Sequence, residues 1–168
     1  MVPAFWRDIR IQTEAFDLGE EERELRQYAH DAGALVAFQG MVREFDYEED
    51  AKRVDYLFLE HYPEVTENEM ARIIDEASNR WTLSGVRVIH RVGELRATDV
   101  IVLVLICSRH RKDAFAAAEF IMDYLKTQAP FWKREHLANG EQHWVEAKAN
   151  DTQALQKWQN SISTTHRD

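Results

Sequence analysis

Residues 100–147 read VIVLVLICSRHRKDAFAAAEFIMDYLKTQAPFWKREHLANGEQHWVEA. The apolar run Val100–Cys107 predicts a buried strand. A helix is predicted to follow from about Arg109 to Thr127, and Pro130 prevents its continuation. The apolar face of this helix is predicted from residues at helical spacing: Phe115, Ala118, Ile121, Met122 and Leu125.

A hairpin is predicted after this helix. Asn139-Gly140 is the strongest short hairpin signal in the sequence, and it lies between the strand-like segments Phe131–Leu137 and His143–Ala147. His136 and His143 flank the turn. A facing pair is one arrangement that this allows, but a separate structural role explains each histidine better.

Four further strands and two helices are predicted before residue 100. The strands are expected at residues 5–16, 34–42, 54–62 and 85–95. The first helix is predicted to begin at the N-cap Asp17, with Glu20 three residues on, and to run to about His30 before a stop at Gly33. The second is predicted to begin at a second capping box, Thr66-Glu-Asn-Glu69, because apolar residues follow at helical spacing: Met70, Ile73, Ile74, Ala77 and Trp81. Single helices between runs of strands indicate an α+β fold with a mainly antiparallel sheet and flanking helices.

The composition is that of one globular domain. The chain has 168 residues, of which 45% are hydrophobic, and this is enough to form a sizeable core. We assign residues 1–150 to the domain and residues 151–168 to a polar C-terminal tail, which is expected to pack weakly and to be dispensable. Trp158 is the exception in the tail, since it could anchor a short helix. The net charge of −9 argues against a general nucleic-acid-binding protein, which needs a basic surface.

Cys107 is the only cysteine, which excludes a disulfide framework within one chain and favours a reducing compartment. Its strand is apolar on both faces, so a position in the core is expected rather than a role as nucleophile. The N-terminal sequence MVPAFWRDIR shows no secretory signal, and the longest apolar run is too short to span a bilayer. A cytoplasmic location without membrane contact is therefore expected.

Three basic clusters stand out against the acidic background. Arg43 ends a predicted strand, Arg109-His110-Arg111 begins a predicted helix, and Lys126 precedes Lys133-Arg134. A helix N-terminus carries free N–H groups and a positive dipole end, where further cations are unfavourable unless an anion is bound. The cluster at the helix start therefore indicates a phosphate or carboxylate site. Side chains that extend into solvent or pair with acidic residues explain it equally well.

The lysines on either side of Pro130 have two explanations. Lys126 lies in the last turn of its helix, where the helix dipole favours a cation, and this is a sufficient structural reason for a lysine. Lysines close together can also depress one another's pKa, and a lysine with a lowered pKa acts as a base or nucleophile at neutral pH. On their own, Lys126 and Lys133 match solvated surface positions better than catalytic ones.

No other motif indicates chemistry. The seven histidines lack metal-ligand spacing, and neither a glycine-rich phosphate loop nor a serine nucleophile elbow is present. No metal and no cofactor are therefore expected. The acidic segment Glu44–Asp50 is expected to form a mobile loop.

The segment around the lysines resembles a known family. Residues 120–135, FIMDYLKTQAPFWKRE, resemble the signature of the molybdopterin synthase catalytic (large) subunit family. Six further segments agree with that family in order and spacing: Gly33–Val36, Gly40–Arg43, Leu59–Pro63, Val88–Glu94, Ser108–Arg111 and Trp144–Ala147. The resemblance covers about residues 5–148. Gln39 departs from it, since a small or hydroxyl residue is expected before Gly40.

The resemblance implies an enzyme of molybdenum-cofactor biosynthesis. It implies an α/β-hammerhead fold, a homodimer, and a small ubiquitin-like partner on each subunit, which gives a heterotetramer. The partner's C-terminal Gly-Gly carries a thiocarboxylate, from which sulfur is transferred to cyclic pyranopterin monophosphate to form molybdopterin. The implied catalytic residues are Lys126 and Lys133, and the implied substrate-binding residues are Arg43, His110 and Arg111. The alternative is a non-catalytic scaffold that binds the ubiquitin-like sulfur carrier.

A homodimer whose active site takes residues from both chains is also expected. The resemblance implies the dimer, and the apolar strand residues are too abundant for one small sheet to cover.

Overall fold

Up to the hairpin, the strands and helices follow the predicted order, except that two strands replace the single strand predicted at residues 85–95. The computed structural model describes residues 5–43, 54–145 and 149–160. Within these ranges the elements are β1 (Trp6–Gln12), α1 (Leu18–Arg26), β2 (Ala34–Met41), β3 (Val54–His61), α2 (Val65–Arg80), β4 (Leu83–Arg91), β5 (Gly93–Leu95), β6 (Val100–Ser108), α3 (Arg111–Gln128), β7 (Phe131–Leu137), β8 (Gln142–Val145) and α4 (Ala149–Asn160).

The strands of the described residues form two four-stranded sheets. In the first, in the order β1-β4-β6-β2, β1 is parallel to β4 and the other pairs are antiparallel. The second, in the order β5-β3-β7-β8, is antiparallel throughout. The predicted α+β class with mainly antiparallel pairing is confirmed. The single strand predicted over residues 85–95 is wrong, because the chain passes at Gly93, with φ +84°, from β4 of the first sheet to β5 of the second.

Two clusters of buried residues lie on the two faces of the first sheet, and a third is formed by Val42 with residues of the second sheet. Alternate side chains of a strand point to opposite faces. One set from β6 packs with α2 and α3: Val102, Val104 and Ile106. The other set packs with α1: Leu103, Leu105 and Cys107. The prediction of Cys107 as a core residue is confirmed, and burial raises the pKa of its thiol to about 11, which makes it a poor nucleophile.

The first helix is shorter than predicted. Asp17 Oδ1 accepts a hydrogen bond from the Glu20 N–H at 2.9 Å, which confirms the predicted N-cap. The helix ends at Arg26, however, well before Gly33. Gly33 is therefore not a helix stop. A Cβ there would lie 2.5 Å from the Arg109 carbonyl oxygen, so the close approach of the two chain segments requires glycine.

The second predicted capping box is wrong. Helix α2 begins at Val65, and the preceding Glu64, with φ 69°, makes no capping hydrogen bond through its side chain. Thr66 lies inside the helix and is fully buried. Its hydroxyl accepts a hydrogen bond from the Tyr62 N–H at 3.0 Å and donates one to the Pro130 carbonyl at 2.9 Å, so it serves a tertiary contact instead of a cap. The predicted apolar face is confirmed by four buried residues: Met70, Ile73, Ile74 and Ala77.

Helix α3 and the following hairpin each differ from the prediction at one point. Phe115 is 63% exposed and does not belong to the apolar face of α3. That face consists of Ala114, Ala117, Ala118, Phe120, Ile121, Tyr124 and Leu125. The hairpin is confirmed, with Gly140 at φ +88°. Its register pairs His136 with Gln142, and His143 with Glu135, so the two histidines do not face one another.

The C-terminal segment contains a helix that packs on the core. Leu155 and Trp158 of α4 are buried, and the Trp158 indole donates a hydrogen bond to Asp123 Oδ2 at 2.6 Å. The expected weak packing is therefore wrong for this part of the tail. Residues 161–168 and the acidic segment 44–50 lie outside the described residues. No helix within the described ranges is long and apolar enough to cross a membrane.

Candidate active site

Lys126 and Lys133 lie on either side of one sharp change of direction in the chain. Lys126 is in the last turn of α3, and Lys133 is in β7. Pro130 cannot continue the helix because it lacks an N–H, and the Phe131 N–H donates to the Ala129 carbonyl at 2.9 Å. Both lysine side chains are exposed. The structure therefore brings the two predicted catalytic residues to the same junction, between α3 and β7.

His90 of β4 contacts this junction. Its ring stacks on Phe131, with ring centroids 3.9 Å apart and planes 17° apart. Burial lowers the pKa of His90 to about 4, and the positive charge of Lys133 contributes to the shift. His90 is therefore neutral at pH 7, and Lys133 lies within electrostatic range of its ring.

Arg134 does not extend the lysine cluster. It follows Lys133 directly on β7, so the two side chains point to opposite faces of the sheet. Its guanidinium donates a hydrogen bond to Glu60 Oε1 at 2.7 Å and lies over the rings of Phe58 and Trp144, at 5.2 and 5.3 Å. An acidic residue thus compensates its charge, and the cluster of Lys133 with Arg134 that their adjacency suggested is not formed.

His110 and Arg111 lie at the opposite end of α3 from Lys126. His110 is the N-cap residue and Arg111 begins the helix, and both are exposed. Arg109 approaches Asp31 at 3.9 Å, so part of this cluster does pair with an acidic residue. At a rise of about 1.5 Å per residue, Arg111 and Lys126 are about 22 Å apart along the helix axis. One chain therefore does not bring the predicted anion site and the lysines together.

Arg43 is also separate from the lysines. It follows β2 and lines a cavity of about 460 Å³ with Tyr56, Arg96 and Ala138 among its neighbours. Ala138 follows the last residue of β7, whereas Lys133 is near the start of that strand. The predicted substrate-binding residues therefore occupy two places, one beyond the far end of β7 and one at the N-terminus of α3.

The groups available for chemistry are amines and a basic helix N-terminus. The described residues contain no group of three or more His, Cys, Asp or Glu side chains that could hold a metal ion. Lysine amines can act as bases, as nucleophiles or as anion ligands. A helix N-terminus can hold a phosphate. These groups suit a reaction of an anionic substrate that requires proton or acyl transfer.

Residues 11–128 match the family model described as MoaE protein. The chain is 50% identical over 150 residues to the molybdopterin synthase catalytic subunit of Ralstonia nicotianae, and the match covers 89% of this chain and 83% of that protein. This chain belongs to the MoaE family. It is also 49% identical over 150 residues to the molybdopterin synthase catalytic subunit of Escherichia coli, with 89% and 97% of the two chains covered.

A solved MoaE structure has the same fold. The molybdopterin biosynthesis MoaE protein of Burkholderia ambifaria matches this structure with a TM-score of 0.77 at 45% identity, and the match covers 90% of this chain and 97% of that chain. The resemblance seen in residues 120–135 is thus confirmed at the level of the family. The individual roles of the site residues stay predictions.

The sequence analysis did not predict that two residues contact the α3–β7 junction of this MoaE-family chain. Thr66 looked like a helix cap, and His90 looked like one residue of a strand. Both contact residues far away in the sequence, Pro130 and Phe131. Local spacing does not reveal such contacts.

Proposed function

We propose that this chain is the catalytic subunit of a molybdopterin synthase. It transfers sulfur to cyclic pyranopterin monophosphate and so forms the dithiolene of molybdopterin. The sulfur comes from the C-terminal Gly-Gly thiocarboxylate of a small ubiquitin-like partner subunit. The observation that carries this proposal is the match to a molybdopterin synthase catalytic subunit over 89% of the chain, with two lysines at the α3–β7 junction.

Lys126 and Lys133 are assigned to the acyl and proton transfers of this reaction. Each sulfur transfer forms a carbon–sulfur bond at the pterin and breaks the bond from that sulfur to the partner's carbonyl carbon. The acyl group must therefore pass to another acceptor. A neutral lysine amine can accept it directly, or it can act as a general base on water.

The substrate phosphate is assigned to the basic N-terminus of α3. Arg43 lies past the opposite end of β2, so its assignment as a substrate-binding residue also requires a contribution from the partner chain. His110 and Arg111 add positive charge where the helix already favours an anion. Because Arg111 lies about 22 Å from Lys126 along the same helix, one small substrate does not reach both in one chain. We therefore assign the active site to a homodimer, in which the lysines of one chain face the phosphate site of its partner.

A hybrid-dimer experiment tests this assignment. Lys126→Ala is expected to be inactive as a pure dimer, and Arg111→Ala to bind substrate about ten- to a hundredfold more weakly. The assay is therefore run at a low substrate concentration, at which both pure dimers are nearly inactive. If each site takes residues from both chains, a hybrid dimer of the two variants has one site with both residues intact and one with neither. Random reassociation of an equal mixture makes about half of the dimers hybrid, so about a quarter of all sites are intact. If each site lies within one chain, no hybrid is active. A stable monomer at micromolar concentration in sedimentation would also contradict the dimer.

A direct assay tests the activity. This chain is mixed with the thiocarboxylated partner and cyclic pyranopterin monophosphate, and dithiolene formation is followed. The control uses the same partner with an ordinary C-terminal carboxylate, which cannot supply sulfur. Partner binding without any dithiolene would favour the alternative function, a scaffold for the sulfur carrier.

We assign the reaction to the cytoplasm and its site residues to residues 1–150, while α4 contributes to folding. Residues 1–150 include every proposed site residue, and the single cysteine leaves no disulfide framework that would suit an oxidising compartment. Activity in the periplasmic rather than the cytosolic fraction of fractionated cells would contradict this location.

A further inference from the structure

The link between the two lysines is held by a side chain from another part of the chain. Thr66 is fully buried in the first turn of α2. Its hydroxyl donates to the Pro130 carbonyl at 2.9 Å and accepts from the Tyr62 N–H at 3.0 Å. Because a hydroxyl has one proton, the two bonds fix its orientation. Thr66 thus fixes the Pro130 peptide against the end of β3 and the start of α2.

The next residue of the link is held from the other side. The Phe131 ring stacks on His90 of β4 at 3.9 Å, and the His90 Nδ1 lies 2.8 Å from the Arg91 carbonyl oxygen. Phe131 also pairs with His61 in the register of β3 and β7. The Pro130–Phe131 link is therefore fixed by a hydrogen bond at one residue and by ring stacking at the next.

We propose that Thr66 and His90 are positioning residues that set the relative placement of Lys126 and Lys133. Both lysines lie on exposed surface, and the rigid group that joins them is the Pro130–Phe131 link. A rotation about the Pro130 backbone would move the start of β7, and Lys133 with it, relative to the end of α3. This inference rests on the proposed function, since it concerns how the two amines are aligned for the transfers.

The expected effect is on turnover rather than on binding. Misplacing a catalytic group by about 1 Å costs roughly a hundredfold in rate. Thr66→Val keeps the shape of the side chain but removes the hydroxyl, which leaves the Pro130 carbonyl without this partner. Thr66→Ser keeps the hydroxyl. In the same way, His90→Phe keeps a ring against Phe131, whereas His90→Leu removes it.

The experiment measures kcat and KM for dithiolene formation, partner affinity by calorimetry, and thermal stability. Thr66→Val and His90→Leu should lose roughly ten- to a hundredfold in kcat, with KM and partner affinity changed by less than about threefold. Thr66→Ser and His90→Phe should keep at least about a third of wild-type kcat. The matched control is Ile74→Val, which removes one buried methyl group from the same helix as Thr66. It should lower the melting temperature and leave kcat unchanged.

A readout without activity separates this inference from the proposed function. In a chain with 13C-labelled lysine, the side-chain signals of Lys126 and Lys133 are assigned by their arginine variants. Thr66→Val should shift both signals at a temperature where the chain is fully folded, and Ile74→Val should not. If the signals and kcat of Thr66→Val match wild type, or if Ile74→Val has the same effects, the inference is wrong. If the wild-type chain forms no dithiolene while Thr66→Val still shifts the signals, the proposed function fails and the alignment of the lysines stands.

Discussion

The hydrogen bond from Trp158 to Asp123 should contribute measurably to the stability of the folded chain. The Trp158 indole is buried against the rings of Trp81 and Phe120, at centroid distances of 5.7 and 5.4 Å. Trp158→Phe keeps a ring in this place and removes the 2.6 Å bond to the Asp123 carboxylate. A hydrogen bond to a charged group contributes roughly 1.5–3 kcal/mol. Since Asp123 is only partly buried, we expect a loss of about 2 kcal/mol, or about 4–8 °C in melting temperature.

Truncation after Asp151 should have a larger effect. It removes two buried side chains of α4, Leu155 and Trp158. Losing a buried leucine side chain costs about 2–5 kcal/mol and losing a buried tryptophan about 3–5 kcal/mol. The sum is comparable to the whole unfolding free energy of a typical domain, about 5–15 kcal/mol. The truncated chain should therefore be marginally folded, which reverses the expectation that the tail is dispensable.

Lys157→Ala is the matched control for Trp158→Phe. It removes two contacts of one exposed side chain: the 3.0 Å ion pair with Glu119 of α3, and the contact of the ammonium with the Trp158 ring at 4.8 Å. The indole hydrogen bond to Asp123 stays in place. Exposed contacts contribute about 0–1 kcal/mol, so the melting temperature should fall by at most about 4 °C. Thermal and urea unfolding at one fixed protein concentration measure both variants. Equal stability of Trp158→Phe and wild type would refute the reasoning, as would a Lys157→Ala chain that is destabilised as much as Trp158→Phe.

Three further predictions concern the site. Lys126→Arg keeps the positive charge, but the arginine side chain cannot lose its proton. In the dithiolene assay it should therefore be nearly as inactive as Lys126→Ala, while both variants still bind the partner. If Lys126→Arg keeps more than about a third of wild-type turnover, Lys126 acts only as an electrostatic ligand. Arg111→Ala should weaken substrate binding about ten- to a hundredfold and leave partner binding unchanged in calorimetry, because a charge-assisted phosphate contact contributes roughly 1.5–3 kcal/mol. The pKa of His90 is about 4 in the folded chain and 6.5 for the free side chain. Between pH 4 and pH 6.5 the unfolded chain therefore binds more protons than the folded chain. The free energy of unfolding falls as the pH drops from 6.5 towards 4. In wild type, the free energy of unfolding measured with urea should be lower at pH 5 than at pH 7. His90→Phe should reduce this difference by roughly 1–2 kcal/mol. An unchanged difference would contradict a neutral His90 in the folded chain.

Local signals in the sequence predicted most of the fold. The strand expected at Val100–Cys107 is β6, and the helix expected from about Arg109 to Thr127 is α3. The strand was predictable because its residues form one continuous apolar run, and the helix because a long periodic segment ends at an unambiguous breaker, Pro130. The position of the hairpin followed in the same way from Asn139-Gly140, where Gly140 adopts a positive φ.

The errors occur where a side chain contacts a distant part of the chain or where the pattern does not define a face. Thr66 has the local context of a cap, but its hydroxyl bonds to the Pro130 carbonyl. In α3 the run of alanines from Ala116 to Ala118 is apolar all round, so spacing alone could not place Phe115 outside the core. In the polar tail, Leu155 and Trp158 are buried. The sequence marked Trp158 as a possible anchor, but the average polarity of the tail still favoured weak packing.

The sequence predicted only those contacts of the candidate site that join residues close together in the chain. Lys126 and Lys133 flank one proline, so any compact arrangement keeps them at the same junction. The contact of His90 with Phe131 depends on how two sheets meet, which no local pattern contains.

The length of α3 gives a physical reason for a site shared between two chains. A phosphate is favoured at the positive N-terminal end of a helix, whereas a lysine is favoured at the C-terminal end. In α3 these ends carry Arg111 and Lys126, about 22 Å apart, which is much longer than a pterin monophosphate. A two-fold axis between two chains can place the N-terminus of one α3 near the C-terminus of the partner's α3. In such an isologous interface, a residue at one position contacts a residue at a different position of the partner, and the same contact occurs twice. The same dimer then completes two sites at once, and disrupting it should abolish activity at both without unfolding either chain.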